Sequence, residues 1–228
     1  MTATAGTLSL LIFFFGHPLL QFHQEICRVI VQGIGVPVTL RSLTGPVTGA
    51  ITSAIVEAPA MGASRVGMLC LGLLIFALVI AHRAFPVARS LILFALSLLA
   101  VSFVAALVNP RFQVDPGAFT RLWTGTQFAL WLALPWVCAF LVIPIEPSAV
   151  RGILWVIAVG VYAFFWSSVR LAFCLGVLHY TGPMFLTGLW FGFGPLADLL
   201  YILVFYSLAV RHASLKVWGY RAHSGIRG

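Results

Sequence analysis

The chain is 228 residues long, 61% hydrophobic and only 8% charged, with a mean hydropathy of +1.08. A soluble domain carries about a quarter charged and about 45–50% apolar residues, so this composition cannot cover a water-facing surface, and a soluble globular enzyme is excluded. The 13 Lys and Arg against 5 Asp and Glu give a net charge of +8, but the cations sit at the ends of apolar runs, where membrane topology explains them; no nucleic-acid partner is expected.

Residues 7–22 (TLSLLIFFFGHPLLQF) are apolar, short and broken by Gly16-His17-Pro18. No cation precedes them and no small-residue cleavage site follows. They are read as a first membrane helix continuing past His23 and Glu25, rather than as a cleaved signal. Residues 26–58 mix apolar and turn-forming stretches and predict interfacial structure. Spans of about 20 residues are expected near 62–82, 90–108, 122–144, 152–179 and 185–210. The 82–89 link is basic, as is the segment from Arg211 onward, with Lys216, Arg221 and Arg227. Placing both on the cytoplasmic side, together with the short 146–151 link, satisfies the positive-inside rule. Residues 57–61, the 109–121 loop and the 180–184 turn then share the outer side.

The expected fold class is all-α: a polytopic membrane bundle of about six to seven transmembrane helices. It forms a single integral-membrane domain over residues 1–228, multi-pass in the inner (cytoplasmic) membrane, with 211–228 as a basic cytoplasmic tail. Its surroundings are the lipid bilayer. Gly192, Gly194 and Pro195 interrupt the last span, a break that packing can tolerate and that carries no functional message by itself.

Cys27, Cys70, Cys138 and Cys174 lie scattered without CxxC spacing, so neither a disulfide framework nor a zinc site is indicated; Cys70 reads as a buried, inert thiol. His17, His23 and Glu25 fit no metal motif, and His82 and His179 fall on opposite sides of the membrane, too far apart to share a haem iron. No metal and no cofactor are expected. Arg170 is a charge well inside a span, a functional candidate by default. It lies at nearly the depth expected for Asp198, to within about 5 Å at 1.5 Å per residue. An intramembrane Arg170–Asp198 ion pair locking two helices is the expected arrangement. A small-solute transporter using both as a polar path is a rival reading, weakened by the lack of a duplicated half.

Gly33-Ile34-Gly35-Val36-Pro37-Val38 is followed, after a turn-rich stretch, by Val56-Glu57-Ala58-Pro59-Ala60-Met61-Gly62. This order resembles the exosortase/archaeosortase family of membrane-embedded cysteine transpeptidases, in which such a first stretch is followed by a short β-like passage and then a V-x-x-x-C-x-G motif that opens a helix. Here alanine, Ala60, stands in the slot of the nucleophilic cysteine. Asn109-Pro110-Arg111 resembles the family's asparagine-then-arginine landmark with closer spacing than usual. Arg121-Leu122-Trp123-Thr124-Gly125 resembles the last landmark, His-x-x-x-Gly, in its archaeosortase form with arginine. The likeness spans roughly residues 26–140. A competing alignment takes Ser167-Ser168-Val169-Arg170-Leu171, with serine for asparagine, followed by His179; it separates slot and arginine by more than the family's usual single hairpin.

The resemblance implies a protein-sorting transpeptidase or endopeptidase acting at the outer face. Its partner is a C-terminal sorting signal on a secreted protein: a short motif, a membrane helix and a basic cluster. Position 60 would supply the nucleophile, Arg111 the contact to the oxyanion or the substrate carboxylate, and Arg121 the third member. The chemistry is coherent, since cations lower a thiol's pKa and stabilise a tetrahedral oxyanion, whereas an arginine in a histidine slot is a poor base. With Ala60 the chain as it stands forms no acyl-enzyme there. A replaced cysteine accounts for this, and so does a natural non-catalytic membrane subunit of an envelope secretion or polymer assembly. The plainer reading of Arg111 and Arg121 is as solvated loop charges beside Asp115, and of Glu57 as an interfacial carboxylate pairing with Arg65.

Overall fold

A computed structural model of the chain describes residues 2–45, 49–57, 63–83, 115–142, 149–182 and 194–223, with scattered positions in 86–104, 145–148 and 186–190. Helix α1 (Thr2–Phe14) is apolar throughout, and α2 (Gly16–Gly33) follows at a 69° bend. Pro18 falls in the first turn of α2, where its missing N–H costs nothing. Gly16, without a Cβ, lets the bend sit directly on the ring of Phe128. Helix α2 buries one stripe, Leu20, His23, Gln24, Cys27 and Val31, at helical spacing. It ends in a Schellman turn: Gly35 adopts φ +78°, Val36 N–H reaches the Val31 carbonyl at 3.2 Å and Gly35 N–H the Gln32 carbonyl at 2.9 Å.

The segment read as interfacial forms an antiparallel hairpin of β1 (Val38–Gly45) and β2 (Gly49–Val56), in register from Val38↔Val56 to Gly45↔Gly49. Its Val, Ile and Thr content suits a pleated surface. Strand β2 is wedged against the helices, with Ile51, Ser53, Ala54, Ile55 and Val56 all buried. Helix α3 (Ala63–Arg83) follows, with Leu71, Ile75, Phe76 and Val79 among its exposed side chains. Helix α4 (Pro116–Val142) starts from an Asp115 cap whose Oδ2 accepts the Ala118 N–H at 2.8 Å, with Pro116 at the first helical position. Helix α5 (Ala149–Thr181) ends at Gly182, φ +81°. Helix α6 runs Pro195–His223.

The protein is therefore mostly helical, and α4 and α5 are each long and apolar enough to cross a membrane, as is the bent α1–α2 pair if it counts as one span. One expectation changes. The hairpin adds a small sheet to an architecture expected to be all-α. Within the span expected at 185–210, Leu186, Leu189 and Trp190 are helical, Gly194 is a turn, and α6 starts at Pro195. The segment from 211 continues as helix to His223. Most of the span expected at 90–108 lies outside the described residues.

Two apolar clusters hold the helices together. One lies under the hairpin, where Cys27, Val31, Ala54 and Val56 meet Trp123, Leu171 and Leu175. The other lies deeper, around Leu20, Phe128, Trp131, Leu134 and Tyr201. Phe119 and Trp123 in the first cluster and Phe128 and Trp131 in the second supply large buried rings.

Candidate functional site

The hairpin, the start of α4 and the end of α5 meet at one end of the bundle. Gly117, in the first turn of α4, is so close to the hairpin that a Cβ there would sit 3.5 Å from Ile55 Cδ1 and 3.8 Å from Leu43 Cδ2. On α5, His179 lies in the last turn with Nδ1 3.3 Å from the Glu57 carbonyl, immediately after β2. His179 thus meets the backbone at Glu57, which precedes position 60 by three residues in the sequence.

Ala60 and Arg111 lie outside the described residues. Arg121 stands in the second turn of α4 on its exposed face, beside Leu122, while Thr120, Trp123 and Thr124 turn inward. Among the described residues no hydrogen-bond or ion-pair partner reaches it. Glu57 is exposed; the side chains of Arg65 and Cys70 are outside the described set.

Nine residues before His179, about 13 Å deeper along α5, Arg170 is 1% exposed. It forms an ion pair with Asp198, which is itself buried in the first turn of α6. Its Nη1 donates to the Gly194 carbonyl at 2.9 Å and its Nη2 to Gln127 Oε1 at 3.4 Å. Gln127 in turn donates from Nε2 to Asp198 Oδ2 at 3.1 Å, and the guanidinium lies 5.7 Å from the Trp123 ring centroid. A buried charge is tolerated when it is paired and hydrogen-bonded, and this arrangement ties α4, α5 and α6 together. The Gly194 carbonyl that Arg170 reaches also accepts the Asp198 N–H at 3.2 Å, and a Cβ at Gly194 would lie 2.2 Å from the Trp190 carbonyl oxygen.

A second polar link sits nearer the hairpin. Gln24 on α2 donates to Thr124 Oγ1 at 2.9 Å and accepts the Ala54 N–H at 3.1 Å, with all three groups buried. His17 Nε2 lies 3.2 Å from the Ala50 carbonyl. His23 is fully buried, edge-on to Trp131 and Phe164, while Glu25 points out and pairs with Arg28. These three residues diverge, and no three His, Cys, Asp or Glu side chains gather among the described residues.

No protein-family model, no curated protein and no solved structure matches this chain. What the arrangement offers chemically thus rests on its own geometry: an accessible imidazole at the hairpin exit, and a deeper charge cluster that fixes the helices carrying it. Gln24, Gln127 and the Gly194 carbonyl are not among the residues that the sequence motifs mark. Gln127 carries a signal, as an amide in an otherwise apolar span on the same helical face as Trp123 and Thr124.

Proposed function

We propose that the protein is a membrane-embedded sorting transpeptidase of the exosortase/archaeosortase type, with alanine at its nucleophile position. It spans the inner membrane about six to seven times with the hairpin end outward, and acts on C-terminal sorting signals of secreted proteins. The observation that supports this reading is His179, whose ring meets the backbone of Glu57, three residues before position 60 in the sequence. In it, His179 takes the third place otherwise expected of Arg121, as in the competing alignment, and Arg111 keeps the oxyanion role implied by the resemblance. Arg170 acts as a structural partner of Asp198.

With cysteine at 60, the imidazole accepts the thiol proton as the sulfur attacks the scissile carbonyl, and returns it to the departing amine. The resulting thioester passes its acyl group to an acceptor nucleophile, whose proton returns to the imidazole. The experiment introduces Ala60→Cys and follows a co-expressed secreted reporter carrying a short motif, a membrane helix and a basic cluster at its C-terminus. Cleavage beside the motif is expected, falling about 10²–10⁴-fold when His179→Ala is added. A thiol at position 60 that alkylates with the same pH profile with or without His179, in a chain that cleaves nothing, sinks the assignment.

Ala60 itself favours a second reading, a non-catalytic membrane subunit of an envelope secretion or polymer assembly. In that case the Ala60→Cys chain stays inert, while deletion of the native chain disrupts the assembly.

A further inference from the structure

Helix α1 packs along α4, with Ser9 Oγ donating to the Leu132 carbonyl at 2.8 Å, whereas α2, after the 69° bend, packs along α5, with Phe22 stacked on Phe164. The crook between them stays open as a lateral cleft of about 390 Å³. Its lining is apolar and aromatic throughout: Leu8 and Ile12 of α1, Leu19 and Phe22 of α2, Trp131 of α4, and one face of α5 from Val156 to Phe165. Phe22, Ile157, Val161 and Phe165 on its rim are exposed, so the cleft opens sideways, onto the hydrocarbon that surrounds apolar spans. A second cavity, about 430 Å³, adjoins it between α2 and the β2 side of the hairpin, and Phe22 lines both. This one is polar, with Gln21, Gln24, Glu25 and Thr52 in its lining. Gln24 is buried and spends one amide hydrogen on Thr124 and one oxygen lone pair on the Ala54 N–H. Its second hydrogen and second lone pair have no partner among the described residues. Glu25 is the one ionised side chain in that lining, and Arg28 pairs with it from the next turn.

We propose that the two cavities together bind one membrane phospholipid with a zwitterionic, amine-bearing head, one acyl chain in the cleft and the head in the polar cavity. Size, length and charge choose this occupant. A helix about 10 Å across fills roughly 120 Å³ per residue, so the cleft takes less than one turn of a helix from a partner or a second copy, while a single hydrocarbon chain is thin enough to enter. From Val156 to Phe165 the cleft runs about 14 Å along α5, close to the depth of one leaflet, about half of a 30 Å hydrocarbon core. The polar cavity adjoins its Phe164 end, where Phe22 stacks, so head and chain follow in the order a lipid has them. The exposed polar residues Gln21, Glu25, Arg41 and Ser42 place that end at headgroup level. There the Glu25 carboxylate, with Arg28 beside it, complements an ammonium and a phosphate carried by one head. A head of net negative charge would meet Glu25 without compensation.

The full-length chain, purified in detergent, is titrated with phosphatidylethanolamine or with phosphatidylglycerol, and bound lipid is counted by native mass spectrometry. One phosphatidylethanolamine per chain is expected, held about tenfold more tightly than phosphatidylglycerol. Gly160 lines the cleft, and a Cβ there meets open space. Gly160→Leu therefore fills the cleft without crowding the protein, and is expected to weaken binding at least about tenfold. Glu25→Gln is expected to remove the preference between heads, since Arg28 then meets an anionic head unopposed. On the unaltered chain, phosphatidylethanolamine with a photoreactive diazirine in its acyl chain is expected to cross-link within residues 8–22 or 156–165. A graded series of equivalent lipids, binding indifferent to Gly160→Leu, equal retention of the two heads, or cross-links that map elsewhere each overturns the proposal. So does disulfide cross-linking of Gly160→Cys chains to one another, which assigns the cleft to a second copy.

Discussion

Arg170 sits where an unpaired guanidinium would cost several kcal/mol, and its partners lie on two other helices. Arg170→Met leaves the Asp198 carboxylate buried without its counter-charge, and an expected loss of about 3–5 kcal/mol follows. The double variant Arg170→Met/Asp198→Leu recovers most of it in denaturant unfolding from detergent micelles; strictly additive losses would show that the two groups do not act as a pair. Gln24→Leu preserves volume but strips the Ala54 N–H and Thr124 of a partner. About 1–3 kcal/mol is expected, with faster amide exchange at residues 50–56 as its signature; exchange unchanged there would remove Gln24 from the hairpin's support. The two charges are legible in the sequence because a charge inside an apolar run is visible in one dimension, and their common depth is arithmetic. Gln24 is not, because the group it serves is the backbone of Ala54, which no residue type marks. Nor does the arginine motif at 121 reveal that its helix turns it outward.

Between α1 and α2 the chain turns through 69°, and the turn works because Gly16 lies against Phe128. A Cβ at residue 16 would stand 2.6 Å from that ring. Gly16→Ala is expected to cost about 1–3 kcal/mol through overpacking, with recovery in the Gly16→Ala/Phe128→Leu double variant. A double-mutant cycle with no coupling would mean that the bend is set elsewhere. The break at Gly16-His17-Pro18 is readable because Gly and Pro punctuate a chain locally. The hairpin is readable only as turn-rich, half-apolar sequence, since the pairing of Val38 with Val56 is a long-range choice. The interruption before α6 is legible as the Gly16 break is, from Gly192, Gly194 and Pro195, but the carbonyl that Gly194 gives to Arg170 is not, because no residue type marks it.

Across the whole molecule, α4 and α5 carry the hairpin at one end and the 146–148 turn at the other. With the hairpin outward, Ser42→Cys in intact cells should react with a membrane-impermeant maleimide, whereas His82→Cys should react only after permeabilisation. The reversed labelling pattern would invert the topology and move the His179 end to the cytoplasm. The ion pair within this bundle also bears on how the chain is made. Asp198 follows Arg170 by 28 residues, and synthesis proceeds at about 5–20 residues per second. For roughly 1–6 s, then, α5 is delivered to the bilayer with its arginine still awaiting a counter-ion, at an insertion cost of about 2.5–3.5 kcal/mol for a central arginine. The apolar remainder of α5 must hold the helix in the membrane over that interval. Insertion becomes secure only when α6 arrives, so the order of synthesis makes the last helix a condition for the one before it.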